Sequence, residues 1–264
     1  MTGSPTDTLF SVAGKSVVVT GGSSGIGAMI ATGLVEAGAR VLISARKADA
    51  LAELAAALGG KGSCEYVVAD VGTPDGSVAI AEAVATTFDD RLDILVNNAG
   101  ATWGAPIDDF PDEAWHKLAN VNLIGLFRLT TTLLGPLRRA ATAEAPARVV
   151  NIGSLAGLRA TGVENYPYSA TKAGVHMLTR HLAHRLARED ITVNAIAPGY
   201  FPSRMSAFAL DDEATRSELL SSVPLGRTGA PEDVVGAVRF LTSRAGAYLT
   251  GSVLEVDGGA AGAG

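Results

Sequence analysis

Seven short apolar runs, each followed by a turn and most by an alanine-rich stretch of helical length, constrain this chain more than any other feature. The runs are Ser16–Thr20, Arg40–Ser44, Glu65–Ala69, Asp93–Val96, Arg148–Ile152, Thr192–Ala197 and Val253–Val256. Brief continuous apolar runs of this kind read as strands buried on both faces, the habit of parallel sheets. Between them the spacing predicts helices over Ile26–Ala37, Ala48–Leu58, Asp75–Phe88, Glu113–Arg139, Tyr168–Arg188 and Pro231–Ser243. Strand–helix alternation points to an α/β fold, a parallel sheet with helices on both faces.

A length of 264 residues admits one large domain or two smaller ones. No linker-like segment and no solenoid-length repeat divides the chain, so a single domain over 1–264 is expected, with 1–8 as a tail. The connection from Pro198 to Pro224 is longer than usual and carries Tyr200, Phe201, Met205 and Phe208. That apolar content predicts a substrate lid over 198–224 with a short helix of its own.

A net charge of −6 without a basic block argues against nucleic acid as a partner. Cys64 is the single cysteine, which excludes an intrachain disulfide and suits a reducing compartment. There is no membrane-length apolar run and no signal-peptide pattern at the N-terminus, so a soluble cytoplasmic protein is expected.

Val17-Val18-Val19-Thr20 runs into Gly21-Gly22-Ser23-Ser24-Gly25-Ile26-Gly27 and then an apolar helix. This strand–turn–helix setting is what a glycine motif needs to bind a dinucleotide. Gly21 permits the tight turn, Gly25 lets backbone approach a pyrophosphate and Gly27 allows close helix packing. The helix start then offers free N–H groups and a positive dipole end to the phosphates. Gly21, Ser23, Ser24, Gly25, Ile26 and Gly27 are therefore candidate cofactor ligands. The second strand ends in Ser44-Ala45-Arg46-Lys47, with no acid before Asp49 to take ribose hydroxyls. Arg46 and Lys47 there suit a 2′-phosphate, which selects NADP(H).

Tyr168-Ser169-Ala170-Thr171-Lys172 sets a phenol and an ammonium one helical turn apart. A neighbouring cation lowers a phenol's pKa from its ordinary value of about 10 toward the range useful for proton transfer. Pro167 fits the first turn of that helix. Tyr166, the competing phenol, has no lysine four residues on.

Thr20-Gly21-x-x-x-Gly25-Ile26-Gly27, Asn97-Asn98-Ala99-Gly100, Asn122, Ser154, Tyr168-x-x-x-Lys172 and Pro198-Gly199 occur in this order. Together they resemble the short-chain dehydrogenase/reductase family from about Leu9 to Gly259. Pro198–Met205 and Asn98–Gly104 look like bacterial 3-oxoacyl reductases of the rhamnolipid-synthesis type. The resemblance implies a Rossmann-type doubly wound sheet of about seven strands, assembled as a homotetramer or dimer. It implies that Asp70 and Val71 flank the adenine, and that Asn98, Ala99, Gly100, Pro198 and Gly199 line the cofactor. Phe201 and Ser203 would lie near the nicotinamide carboxamide. The catalytic set it implies is Asn122, Ser154, Tyr168 and Lys172. In it Tyr168 is the proton donor, and Lys172 lowers its pKa and holds the ribose hydroxyls. Ser154 bonds the carbonyl oxygen, and Asn122 anchors a water beside Lys172. The implied activity is NADPH-dependent reduction of a ketone, a 3-oxoacyl thioester on acyl carrier protein or CoA, with a steroid, sugar-derived or other small ketone as alternative substrate. A non-catalytic NADP sensor is disfavoured because tyrosine, lysine and serine are all kept, and no metal is required.

Two clusters have plainer readings. His176, His181 and His184 share one predicted helix but lack converging further ligands, so a solvated or intersubunit face is expected rather than a metal site. Asp108-Asp109 and Asp211-Asp212 sit beside predicted helix starts, where acids favour the dipole.

Overall fold

A computed structural model describes residues 8–203, 206 and 212–262. The predicted tail therefore lies almost wholly outside the described residues, as do Arg204, Met205, Phe208 and Asp211. Chain order is β1 (Ser16–Thr20), α1 (Gly25–Glu36), β2 (Arg40–Ala45), α2 (Ala48–Gly59), β3 (Ser63–Val68), α3 (Pro74–Phe88), β4 (Ile94–Asn97) and α4 (Asp112–Ala119). There follow a π-helical segment (Asn120–Gly125), α5 (Leu126–Thr132), α6 (Leu134–Ala140), β5 (Ala147–Ile152), α7 (Tyr166–Leu186), β6 (Ile191–Pro198), α8 (Glu213–Ser221), α9 (Pro231–Thr242) and β7 (Val253–Val256).

The seven strands form one sheet in the order β3-β2-β1-β4-β5-β6-β7, and every pairing is parallel. Successive residues of each central strand feed opposite faces. Val17 and Val19 join the core beneath α1 and α9, whereas Val18 joins the core beneath α3, α5 and α7. Val41 and Ile43 against Leu42, and Ile94 and Val96 against Leu95, repeat the division. Two-sided burial is why these runs read as continuously apolar. The two edge strands depart from that expectation. In β3 Tyr66 and Val68 are exposed, and β7 is half-buried along its length.

Local chemistry sets the helix ends. Thr73 accepts the Gly76 N–H at 3.0 Å to cap α3, whose first residue is Pro74. Asp212 accepts the Thr215 N–H at 2.8 Å and starts α8 within the predicted lid. Asp108 and Asp109 lie in a short 3₁₀ turn, Ile107–Asp109, ahead of α4. The single helix expected over Glu113–Arg139 is broken twice, by the π segment and at Leu133. Among the described residues no single helix is long and apolar enough to cross a membrane; the bent pair Asp112–Thr132 with Leu134–Ala140 passes by composition only and packs on the sheet.

Candidate active site

The strand order reverses direction of travel between β1 and β4, so a crevice opens at their carboxyl ends, where ligands of doubly wound sheets bind. The glycine turn occupies that crevice. Gly21 and Gly25 have φ of +64° and +54°, a region costly for any residue with a Cβ. A Cβ on Gly27 would stand 2.2 Å from the Gly21 carbonyl oxygen and 2.4 Å from the Asn98 amide nitrogen. Gly27 thus seats α1 on the turn itself rather than on the sheet. Ser24 precedes α1 without a side-chain capping bond, and the first turn holds no acid. The opening N–H groups of α1 remain available to an anion. Donors without partners and a cradle kept free of side chains fit a pyrophosphate.

The floor of the crevice comes from β4. Thr20 Oγ1 accepts the backbone N–H groups of Asn98 and Ala99, both at 3.0 Å, and Asn98 returns its amide to the Thr20 carbonyl at 2.8 Å. Gly100 closes on Asn122 Oδ1 and Lys172 Nζ, which a Cβ there would meet at 3.3 and 3.5 Å. Asp70 Oδ1 accepts the Gly72 N–H at 2.8 Å, and Val71 is buried beside it at the end of β3. Arg46 and Lys47 leave β2 into solvent, and neither joins a salt bridge among the described residues. Pro198 ends β6, and the Gly199 N–H reaches the Val256 carbonyl at 3.0 Å.

Phe201 turns its ring inward, where it is buried against Gly229. A Cβ on Gly229 would meet the ring at 2.3 Å, so glycine there makes room for it. Ser203 stands against the phosphate turn, its Cβ 3.1 Å from where a Gly25 Cβ would lie. Ser206 steadies it, Oγ to Oγ at 3.1 Å.

Four groups of the catalytic set converge. Ser154 begins the turn after β5 and accepts the Ala156 N–H at 3.1 Å. The Tyr168 phenol on α7 lies near enough to the Ser154 hydroxyl for that group to act on its titration. Burial pushes the Tyr168 phenol above its ordinary value, and the Ser154 hydroxyl draws it partly back. Lys172 Nζ lies 5.7 Å from the Tyr168 ring centroid and donates to the Ile152 carbonyl at 2.8 Å. Burial brings its ammonium down to about 8. Desolvation is the largest influence on both groups in this state, and the Lys172 ammonium is turned to backbone. Asn122 sits in the π segment, a rare distortion frequent at functional sites. Its side chain clasps Ala101, accepting that N–H at 2.8 Å and donating to that carbonyl at 3.0 Å, and also donates to Thr171 at 3.1 Å.

Beneath the site runs a buried polar chain with no signal in sequence spacing. Asn97 donates to Thr130 at 3.0 Å and to Asn151 at 2.9 Å, and Asn151 donates to Thr179 on α7 at 2.9 Å. Asn97 and Asn151 are register partners across β4 and β5. Their pairing becomes visible only once the strand order is known. The three histidines separate: His181 and His184 are exposed, while His176 is buried and so does not belong to a solvated face. Among the described residues no group of three could hold a metal ion.

A paired serine and tyrosine beside a dinucleotide cradle defines a class of oxidoreductase, and comparison with known proteins supplies the same answer. The family model described as enoyl-(acyl carrier protein) reductase matches residues 21–261. The chain belongs to the short-chain dehydrogenase/reductase family. It is 47% identical over 250 residues, 95% of this chain and 97% of the other, to the rhamnolipids biosynthesis 3-oxoacyl-[acyl-carrier-protein] reductase of Pseudomonas aeruginosa. It is 37% identical over 252 residues, 93% of this chain and 97% of the other, to the 3-oxoacyl-[acyl-carrier-protein] reductase FabG of Vibrio harveyi. The structure of the Pseudomonas aeruginosa RhlG/NADP active-site complex superposes with a TM-score of 0.93 at 46% identity, covering 96% of this chain and 99% of that one.

Proposed function

We propose that the protein is an NADPH-dependent reductase that converts a 3-oxoacyl thioester, carried on acyl carrier protein or CoA, to its 3-hydroxyacyl counterpart. The observation that carries the chemistry is the Ser154–Tyr168 hydroxyl pair, standing ahead of Lys172 at the open end of the dinucleotide cradle. The names of the Pseudomonas and Vibrio relatives support the substrate class.

When bound, the nicotinamide supplies hydride to the carbonyl carbon. The chain's own groups do the rest. Ser154 donates to the carbonyl oxygen and stabilises the negative charge that builds there. Tyr168, raised by burial, holds its proton at neutral pH and delivers it to that oxygen. Lys172 replaces the proton and reaches the ribose hydroxyls once drawn from the Ile152 carbonyl. Asn122 fixes Ala101 and Thr171 around that path. Gly21, Ser23, Ser24, Gly25, Ile26, Gly27 and Ser203 hold the pyrophosphate. Arg46 and Lys47 hold the 2′-phosphate, Asp70 and Val71 the adenine, and Asn98, Ala99, Gly100, Pro198 and Gly199 the remaining walls. Phe201 acts as the anchor of the lid.

The mouth supports an acyl substrate. Loops 101–111 and 155–165 meet there through the Ala105 N–H to Glu164 carbonyl bond at 3.2 Å and the Phe110–Tyr166 ring pair. Ile107, Leu158, Val163 and Tyr166 are exposed around it, an apolar rim. A homo-oligomer in the cytoplasm belongs to the same reading. Exposed Trp115, Ile124, Phe127 and Met177 on the α4–α5 stretch and α7 support it, since apolar clusters of this kind mark association surfaces.

Following NADPH oxidation with 3-oxoacyl thioesters, sugar-derived keto acids and steroids tests the substrate. The highest kcat/KM is expected on a 3-oxoacyl thioester, and a preference for either other class overturns that assignment. Tyr168→Phe is the mechanistic control. It should lose roughly 10²–10⁴-fold in turnover, the range for a general acid, while still binding NADPH.

A further inference from the structure

Tyr168, Lys172 and His176 follow one another at four-residue intervals along one face of α7, yet the reaction uses only the first two. His176 is 3% exposed, and neither ring nitrogen makes a hydrogen bond of good geometry. A buried polar ring without partners calls for a reason. Its surroundings supply one. A Cβ on Gly153 would lie 2.1 Å from His176 Nε2, whereas a Cβ on Gly157 would meet the α7 backbone first, 2.6 Å from the Lys172 carbonyl carbon, and His176 Cε1 at 2.9 Å. These two glycines bracket Ser154, one directly before it and one three residues after, with the Gly157 N–H on the Ser154 carbonyl at 3.0 Å. The Gly153 N–H is held by the Ile196 carbonyl of β6 at 2.7 Å, so the turn is fixed on its far side. At Gly157 the turn rests on the α7 backbone itself, and at Gly153 the imidazole is the spacer on the near side.

We propose that His176 is a positioning residue: its ring is the wedge between α7 and the Gly153 end of the turn, and it sets the separation of the Ser154 and Tyr168 hydroxyls. The role rests on the ketone-reductase reading, in which those hydroxyls share the carbonyl oxygen. The wedge also stays uncharged at working pH. Burial, with the Lys172 and Arg180 charges adding to it and the Gly157 backbone opposing, brings the imidazole down to about 4.

Three variants test this: His176→Ala, Gly153→Ala and the double variant. In His176→Ala the Ser154 turn loses its support, the hydroxyl pair opens and the Ser154 hydroxyl no longer draws the Tyr168 phenol down. The expected result is a fall in kcat of about tenfold or more with the NADPH dissociation constant within twofold of wild type. Tyrosinate absorbance of the cofactor-free protein, with Tyr168→Phe as the blank, should show the Tyr168 titration moved to higher pH. Lys172 and His176 are the titratable groups along this helix face, and the blank isolates the phenol from both. Gly153→Ala should impair the wild type, because its methyl meets the ring. In the His176→Ala background the same methyl fills vacated space and should restore part of kcat, so the sign of its effect reverses. If His176→Ala does not fold, His176→Asn, a smaller planar group, should show the same titration shift to a lesser degree. An unmoved Tyr168 titration with kcat within twofold of wild type in the folded variant overturns the wedge. Normal turnover in Tyr168→Phe would instead overturn the ketone-reductase mechanism, so the two failures are distinguishable.

Discussion

Lys172 holds a charge in a place that disfavours it. Its one hydrogen bond is to the Ile152 carbonyl, and burial brings the ammonium down to about 8. The unfolded chain, with an ordinary lysine near 10.4, binds more protons than the folded one between about pH 8 and that value. Stability contributed at this position therefore rises with pH across that window. Lys172→Met removes the burden, so the cofactor-free variant should be more stable at pH 7 by about 2 kcal/mol, while losing turnover. Denaturant melts at pH 7 and pH 10 check this, with the gap expected to shrink at the higher value. A variant less stable than wild type at pH 7 would show that the lysine is structural. Arg46 bears on cofactor choice alone. Arg46→Ala should raise the KM for NADPH about 10- to 100-fold, the effect of losing one or two charge-assisted hydrogen bonds, and leave NADH nearly unchanged. Equal effects on both would remove the 2′-phosphate role. At this scale the residues proposed to touch ligand stand out in the sequence, because their types and spacing are set by chemistry. Neighbours such as His176, Asn151 and Thr179 are set by packing, which spacing does not encode.

Among the elements, the turn between β1 and α1 tolerates little change. Gly27→Ala places a methyl 2.2 Å from the Gly21 carbonyl oxygen. Seating it must displace either the turn or Asn98. The expected cost is about 1–3 kcal/mol of stability, with NADPH affinity down at least tenfold; fluorescence titration and thermal melts measure both. Unchanged affinity would mean that the turn is not the phosphate site. The strands and most helices were legible because two-face burial writes a continuous apolar signal and helical burial a 3.6-residue one. The interruptions of the Glu113–Arg139 stretch were not. The π segment Asn120–Gly125 holds no proline to mark it, and the buried residues there are Asn122 and Gly125 rather than large apolar ones. The burial of the Phe201 ring was not legible either, because nothing in the lid's sequence places Gly229 beneath it.

For the whole molecule, fold class followed from element alternation, but strand order did not, since strand composition says nothing about which neighbour each will take. The order has a consequence for how the protein is made. β1 pairs on one side with β2, close in sequence, and on the other with β4, Val17 meeting Ile94. As the chain leaves the ribosome, β1, β2 and β3 can assemble early, while the second edge of β1 waits for a strand more than a helix-and-strand pair away. Long-range parallel pairing of this kind folds slowly. Until β4 arrives, an apolar strand destined for the centre of the sheet is left open to the wrong partner. Arrival of residues 69 to 97 closes that edge.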